Sequence, residues 1–252
     1  MALSPCPGRP GNDEAGHGSR PLFAPLSPFE AEALWLSLKV AAASLVGVIP
    51  VSLGLALLLA RGRFPGKWLL EALVNLPLVL PPVVTGLVLL IIFGVRGPVG
   101  GWLHEVFGVT LAFHWTGAAL AAGVMALPLV VRPLRLSLEA VDARLEQAAA
   151  TLGAPPLQVL WRVTLPLALP GLVAGAVLGF ARAFGEFGAT VTFAGSIPGE
   201  TQTLPVAIYA VLQRADGEEA ALRLALLSVL VSVGALVIAE WINRRALARR
   251  GV

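Results

Sequence analysis

The stretch ALVNLPLVLPPVVTGLVLLIIF, residues 72–93, runs for 22 positions without a charged side chain. A helix of about 20 apolar residues crosses the roughly 30 Å hydrocarbon layer of a bilayer. The rest of the chain has the same character, because 57% of its 252 residues are hydrophobic and only 13% are charged. Soluble domains are about one quarter charged. The composition therefore predicts a membrane protein and excludes a water-soluble one.

Five segments approach the length and apolarity of a spanning helix. They cover residues 35–60, 68–93, 111–131, 163–192 and 224–242. Another apolar run, 203–212, is too short to cross. The sequence thus predicts an all-α membrane protein with five transmembrane helices.

The Lys and Arg residues of the short loops predict the orientation. If the loop after the first segment is cytoplasmic, that side collects eleven basic residues, and the opposite loops hold three, Arg96, Arg214 and Arg223. All six Trp residues fall near predicted segment ends, where an amphipathic ring prefers the headgroup region. Both signals indicate an outer N-terminus and a cytoplasmic C-terminus.

The first residues, 1–27, are rich in Pro and Gly and poor in apolar side chains. We expect a disordered tail here, because little apolar surface is available to offset the entropy of ordering. The stretch lacks the basic start and apolar run of a signal peptide. A translation start downstream of it is an equally plain explanation. Residues 28–252 are expected to form the transmembrane domain.

The residues that bind metals or form disulfides are few and scattered. Cys6 is the single cysteine, and His17, His104 and His114 have no HExxH or paired-Cys spacing around them. We therefore expect no metal and no cofactor bound by this chain. A membrane-embedded enzyme would need a His, Asp or Cys constellation at matched depth, and the sequence contains none.

The most informative loop reads RPLRLSLEAVDARLEQAAATLGAPPLQVLWRVTLP and occupies residues 132–166. Leu145, Ala148 or Ala149, and Leu152 recur at helical spacing, which predicts a short helix with an apolar face. Gly153 then supplies a residue that tolerates the left-handed conformation of a helix stop.

Two consecutive prolines, at 155 and 156, can open the next helix, because a first-turn proline loses no hydrogen bond. That helix continues through Trp161 into the membrane at Leu165 and Pro166. The pattern predicts a helix, a sharp turn and a second helix, exposed to the cytoplasm on a rigid base. An amphipathic helix resting on lipid headgroups is an alternative that the spacing alone favours equally.

The chain contains no phosphate-binding GxxxxGK[ST] sequence. If it moves a solute at the expense of ATP, another polypeptide must hydrolyse the nucleotide. A protruding helix on a rigid base is a means to receive mechanical work from such a partner.

The same loop resembles the EAA signature of permease subunits of binding-protein-dependent ABC importers. That signature is Glu-Ala-Ala, three residues, Gly, nine residues, a branched residue, one residue and Leu-Pro. The residues at the matching positions are Gln147, Ala148, Ala149, Gly153, Val163, Leu165 and Pro166. Gln147 replaces the usual Glu, although Glu146 immediately precedes it. The resemblance implies an ATPase-coupling role for these residues, together with Glu146 and Leu152.

The resemblance extends over residues 36–240 and is closest to molybdate permeases, with sulfate and tungstate permeases as near relatives. It is carried by FPGK at 64–67, LPLVLPPVVTG at 76–86, ARAFGEFGATVTFAG at 181–195 and IPGETQTLP at 197–205. It implies a type I importer fold in the inner membrane of a prokaryote. Implied partners are two ATP-binding subunits, a second copy of this chain, an external oxyanion-binding protein and the lipid bilayer. No nucleic-acid partner is expected.

Prolines and buried charges mark a candidate translocation path. The second segment carries Pro81 and Pro82 beside Thr85, and the fourth carries Arg182 and Glu186 one helical turn apart. Ionisable groups within a membrane normally face the bundle interior or water. Arg182 would attract an anion and Glu186 would keep its binding weak. A structural ion pair and simple packing kinks are the alternatives, and a passive anion channel is the alternative for the whole chain.

Overall fold

The computed structural model describes residues 25–248, with side chains described as far as residue 238. In this part of the chain all regular secondary structure is helical, and there is no strand. The helices are α1 Pro28–Arg61, α2 Lys67–Val79, α3 Pro82–Phe93, α4 Pro98–Phe107, α5 Trp115–Glu139, α6 Ala143–Thr151, α7 Pro156–Val159, α8 Leu165–Phe184, α9 Gly188–Phe193, α10 Leu204–Leu212 and α11 Glu218–Ala248. A π-helical turn, Leu160–Thr164, joins α7 to α8.

Several sequence expectations lie outside the described residues. They concern the tail before residue 25, Cys6 and His17. The same holds for the side chains of Trp241 and of the four arginines that follow it.

Within residues 25–248, four helices are long and apolar enough to span a membrane, namely Pro28–Arg61, Trp115–Glu139, Pro156–Phe184 and Glu218–Ile238. They overlap most of the predicted first, third, fourth and fifth segments. The predicted fourth segment is not one helix to its end, because α8 stops at Phe184 and α9 follows after a break. The short run near 203–212 forms α10, whose nine residues are too few to cross.

The predicted second segment is not one continuous helix. It divides into α2 and α3, which are bent by 116° relative to each other. Leu80, between them, has φ −71° and ψ 140°, the extended conformation that a residue preceding proline prefers. Pro81 and Pro82 have no N–H with which to continue the hydrogen-bond ladder. This bent pair is a fifth span only if its two halves together cross the bilayer.

Small residues allow the spans to approach closely around α5. Ala118, Ala121 and Ala122 are fully buried. A Cβ added at Gly175 of α8 would lie 2.8 Å from the carbonyl oxygen of Val130. No side chain would therefore fit at Gly175, and the backbones of α5 and α8 are in direct van der Waals contact, which is one of the main attractions between helices in lipid. The centre of the molecule is therefore the packing of α1 and α8 on α5.

Polar contacts define two opposite ends of the helix bundle. At the first, which we call the α6 end, the guanidinium of Arg61 lies 2.7 Å from the carboxylate of Glu146. At the second, which we call the Trp115 end, Lys39 Nζ lies 3.7 Å from the centre of the Trp115 ring. Helices α1 and α5 therefore both run from the Trp115 end to the α6 end, and α8, packed on α5, runs in the opposite direction.

Candidate functional site

Helix α6 is a short helix with a defined beginning and end. The side chain of Asp142 accepts a hydrogen bond from the Arg144 N–H at 2.9 Å, which caps the helix start. At the other end Gly153 has φ +85°, and Ala154 N–H donates to the Ala149 carbonyl at 3.1 Å. The left-handed residue and this backward bond form a Schellman stop. The predicted helix and its glycine turn are therefore present.

The second helix of the loop also starts where its prolines suggest. Pro155 caps α7 and Pro156 is its first residue. The π-helical turn then carries the chain past Trp161 directly into α8. Val163 and Leu165 are half-buried there, and Pro166 is exposed in the first turn of α8. The short helix α6 thus stands on the base of a spanning helix.

Four large apolar side chains of α6 and the residues that follow it face outward. Helix α6 contains no buried residue. Leu145, Leu152, Leu157 and Trp161 are exposed by 49, 89, 66 and 61%. Large apolar side chains exposed within one short loop are typical of a surface that another molecule covers.

The remaining signature residues divide between this surface and the chain's own interior. Gln147 and Ala148 are exposed, and Ala149 is half-buried. Glu146 is turned towards the protein, where its carboxylate accepts hydrogen bonds from Arg61 and from Thr164 Oγ1. Sequence reasoning missed both donors. Their distances along the chain, 85 and 18 residues, leave no local signal that could have found them.

The candidate path residues of the second and fourth segments lie at two neighbouring helix breaks. A Cβ added at Gly188, the first residue of α9, would lie 2.8 Å from Pro82 Cβ. One turn further, a Cβ at Gly86 would lie 2.7 Å from the Ala189 carbonyl oxygen. Pro81 and Pro82 are exposed, whereas Thr85 is buried. The break between α2 and α3 therefore packs directly on the break between α8 and α9.

Arg182 and Glu186 form an ion pair across the second break. The Glu186 side chain is almost fully buried at 1% exposure, and that of Arg182 is 25% exposed. Glu186 Oε1 also accepts a hydrogen bond from the Ala189 N–H at 2.9 Å. One carboxylate thus caps α9 and holds the guanidinium, which leaves Arg182 partly accessible as a positive charge.

The second half of the segment between α9 and α10 is folded inward, although its residues Thr201, Gln202 and Thr203 are polar. Thr201 is fully buried, and its hydroxyl accepts a hydrogen bond from the Ile197 N–H at 2.9 Å. Residues 196–199 of the turn are exposed, and the half-buried Glu200 lies 3.1 Å from His114 Nδ1. Among the described residues, no group of three His, Cys, Asp or Glu side chains could hold a metal ion.

The chain is similar to known transport permeases over most of its length. It matches the family described as binding-protein-dependent transport system inner membrane component over residues 49–247. It is 50% identical to the molybdenum transport system permease protein ModB of Escherichia coli over 222 residues, which are 88% of this chain and 97% of that one. It is 50% identical to the protein of the same name from Mycobacterium tuberculosis over 84% of this chain and 78% of that one.

The fold has a solved counterpart. A chain of the MetNI methionine ABC transporter, in an inward-facing conformation, superposes with a TM-score of 0.67 over 88% of this chain and 99% of that one, at 19% identity. The signature loop, the arrangement of the spans and the length of these matches all indicate the same family. The chain therefore belongs to the family of inner membrane components of binding-protein-dependent transport systems.

Proposed function

We propose that this chain is the membrane-spanning permease subunit of an ATP-driven importer that delivers molybdate from an external binding protein to the cytoplasm. The observation that carries the proposal is the exposed helix α6 at the base of α8, in a chain that is 50% identical to a molybdenum transport permease. The cargo is assigned from that relative.

We assign α6 as the coupling helix that docks in a groove of a separate ATPase subunit. Its exposed leucines offer apolar contact area, and its stop at Gly153 fixes its angle to the base of α8. A helix held in this way transmits a displacement as a rigid body. Gln147, exposed on the same helix, would face the ATPase without a carboxylate.

Five crossings follow if the bent pair counts as one. Helix α1 finishes at the α6 end, and α5 begins at the Trp115 end. The intervening chain, α2 with α3, must therefore pass from one end to the other. With the basic residues at the α6 end facing the cytoplasm, the N-terminus of α1 is outside and α11 returns the C-terminus to the inside.

Two copies of the chain would enclose the path, as the family resemblance implies, with two ATPase subunits beneath them. The neighbouring helix breaks, with Pro81, Pro82 and Thr85 on one and Arg182 and Glu186 on the other, are placed to line it. Because Glu186 already neutralises Arg182, an oxyanion would bind weakly and leave readily. Selectivity would then rest with the binding protein, and access would alternate by rigid-body motion of the two halves.

The proposal is tested with the permease purified together with its ATPase subunit, reconstituted in liposomes with the binding protein. We expect the two subunits to co-purify and molybdate uptake to require ATP. Tungstate and sulfate, offered in parallel, test the two alternative cargoes. Uptake that ignores ATP would identify a passive anion channel and overturn the proposal, as would the failure of any ATPase subunit to co-purify.

Replacing Gly153 with valine should uncouple ATP hydrolysis from transport. Valine in a left-handed conformation costs about 1–2 kcal/mol, and the turn can relieve this only by rotating α6 away from its position. We expect uptake per ATP hydrolysed to fall by about fivefold or more. Gly108→Val is the matched control, because Gly108 also has a positive φ, with open space around it, at the other end of the molecule. Equal loss in both variants would contradict the docking role.

A further inference from the structure

The carboxylate of Glu146 joins three separate elements at the α6 end. Its Oε2 accepts a hydrogen bond from Arg61 Nη1 at 2.7 Å, and its Oε1 accepts one from Arg61 Nη2 at 2.7 Å. Thr164 Oγ1 donates to the same Oε1 at 2.6 Å. Arg61 is the last residue of α1, Glu146 lies in α6, and Thr164 is the last residue of the π-helical turn below α8.

The geometry of this contact restrains both side chains. A guanidinium that meets a carboxylate with two parallel bonds is fixed in direction as well as distance. Arg61 is fixed further, because its Nη2 lies 3.4 Å from the Leu138 carbonyl oxygen near the end of α5. Thr164 is buried, so its hydroxyl is held by the packing around it. An accidental pair of mobile surface side chains would have none of these restraints.

Nothing else described in α6 could fix the helix as firmly. Because α6 has no buried side chain, apolar packing beneath it is slight. Without the Glu146 contacts, α6 would be connected to the bundle mainly through its two flanking turns. A helix connected in that way could rotate when a partner pulls on it, and the motion would be lost.

We propose that Arg61 and Thr164 are positioning residues that hold Glu146, so that α6 moves as one body with the inner ends of both α1 and α8. A displacement of the coupling helix then acts on two spans that pack against α5 from different parts of the chain. The inference rests on the proposed function, since it presumes that α6 receives the motion of an ATPase. It also gives Glu146 a role within this chain and leaves Gln147 as the polar residue presented to the partner.

The test measures molybdate uptake and ATP hydrolysis together in the reconstituted complex of permease, ATPase subunit and binding protein. Arg61→Ala and Glu146→Ala are each expected to lower uptake per ATP hydrolysed by about fivefold or more. The double variant should lose no more than Glu146→Ala alone, because removal of Glu146 already breaks its contact with Arg61. The charge-reversed pair, Arg61→Glu with Glu146→Arg, should recover part of the loss, whereas each reversal alone should not.

Variants of Thr164 test the proposal independently. Thr164→Ser keeps the hydroxyl and should retain the wild-type ratio of uptake to hydrolysis. Thr164→Val keeps the shape and removes the donor, and it should lower the ratio. Arg63→Ala is the matched control. Arg63 lies two residues after Arg61 and is exposed, and among the described residues it forms no ion pair.

The outcomes separate this inference from the proposed function. If the wild-type complex shows no ATP-dependent uptake, the proposed function has failed. If the wild type is coupled, additive losses in the double variant, or equal behaviour of Thr164→Val and Thr164→Ser, would overturn the connection alone. The thermal midpoint and the yield of the complex are measured for every variant. A ratio that falls only in proportion to the yield would also overturn the positioning role.

Discussion

Glu30 and Arg223 form the most deeply buried ion pair whose two side chains come from different spans of the described chain. Arg223 Nε lies 3.0 Å from Glu30 Oε1, and Arg223 Nη2 donates to Glu30 Oε2 at 3.1 Å. Glu30 Oε2 also accepts the Ser27 N–H at 2.8 Å, which completes a capping box at the start of α1. The spacing of Ser27 and Glu30 could have predicted the cap. Sequence reasoning counted Arg223 only as a basic residue in an outer loop.

Removing the guanidinium of this pair should destabilise the protein strongly. Arg223→Met leaves the Glu30 carboxylate buried without its counter-charge, which costs about 3–5 kcal/mol. Replacing both residues with apolar side chains should recover most of the loss, because no unpaired charge then remains. The measurement is the unfolding midpoint of the purified protein in one fixed detergent. Arg214→Met is the control, because Arg214 is exposed near the same end. Equal destabilisation by Arg223→Met and Arg214→Met would contradict the importance of the pair.

At the scale of elements, two broken helices pack on each other where sequence reasoning expected two continuous spans. The prolines at 81 and 82 explain the break between α2 and α3. The break between α8 and α9 lies in the stretch Gly185-Glu186-Phe187-Gly188. Helix ends exposed by such breaks need polar partners inside a membrane. Glu186 supplies one of these for α9. The paired breaks are therefore a structural unit whose two halves depend on each other.

Replacing Gly86 with alanine should separate these two elements. The new methyl group would lie 2.7 Å from the Ala189 carbonyl oxygen and 2.8 Å from Thr192 Cβ, so α3 must move off α9. We expect a destabilisation of about 1–3 kcal/mol together with reduced uptake. Gly54→Ala is the matched control, because Gly54 lies within α1 with no atom near its added Cβ and should be neutral or slightly stabilising. Unchanged stability and uptake in Gly86→Ala would contradict the close contact.

For the whole molecule, the two ends of the helix bundle expose different side chains. The α6 end combines basic loops with exposed leucines, and the Trp115 end carries the His114 and Glu200 contact. The predicted orientation places the α6 end in the cytoplasm. Four long helices alone would return the chain to its starting side, so the odd number of crossings depends on the bent pair.

Cysteine accessibility tests this topology directly. In a Cys6→Ser background, a cysteine at His104 should react with a membrane-impermeant thiol reagent added to the outer side. A cysteine at Gln147 should react only after the membrane is opened. Both side chains are exposed, so a difference reports the side of the membrane and not burial. Labelling of both positions from the outside would contradict five crossings, and labelling of Gln147 alone would reverse the orientation.

The sequence by itself determined the membrane location, the approximate place of each long helix, and the helix and glycine stop of the 132–166 loop. These features depend on hydrophobicity and on residues a few positions apart, which a single chain displays directly. Only the tertiary structure decided the bend between α2 and α3, the inward folding around Thr201, and the partners of Glu146 and Arg223. Those features arise from contacts between residues far apart in the chain, and the direction of each side chain depends on how the spans pack.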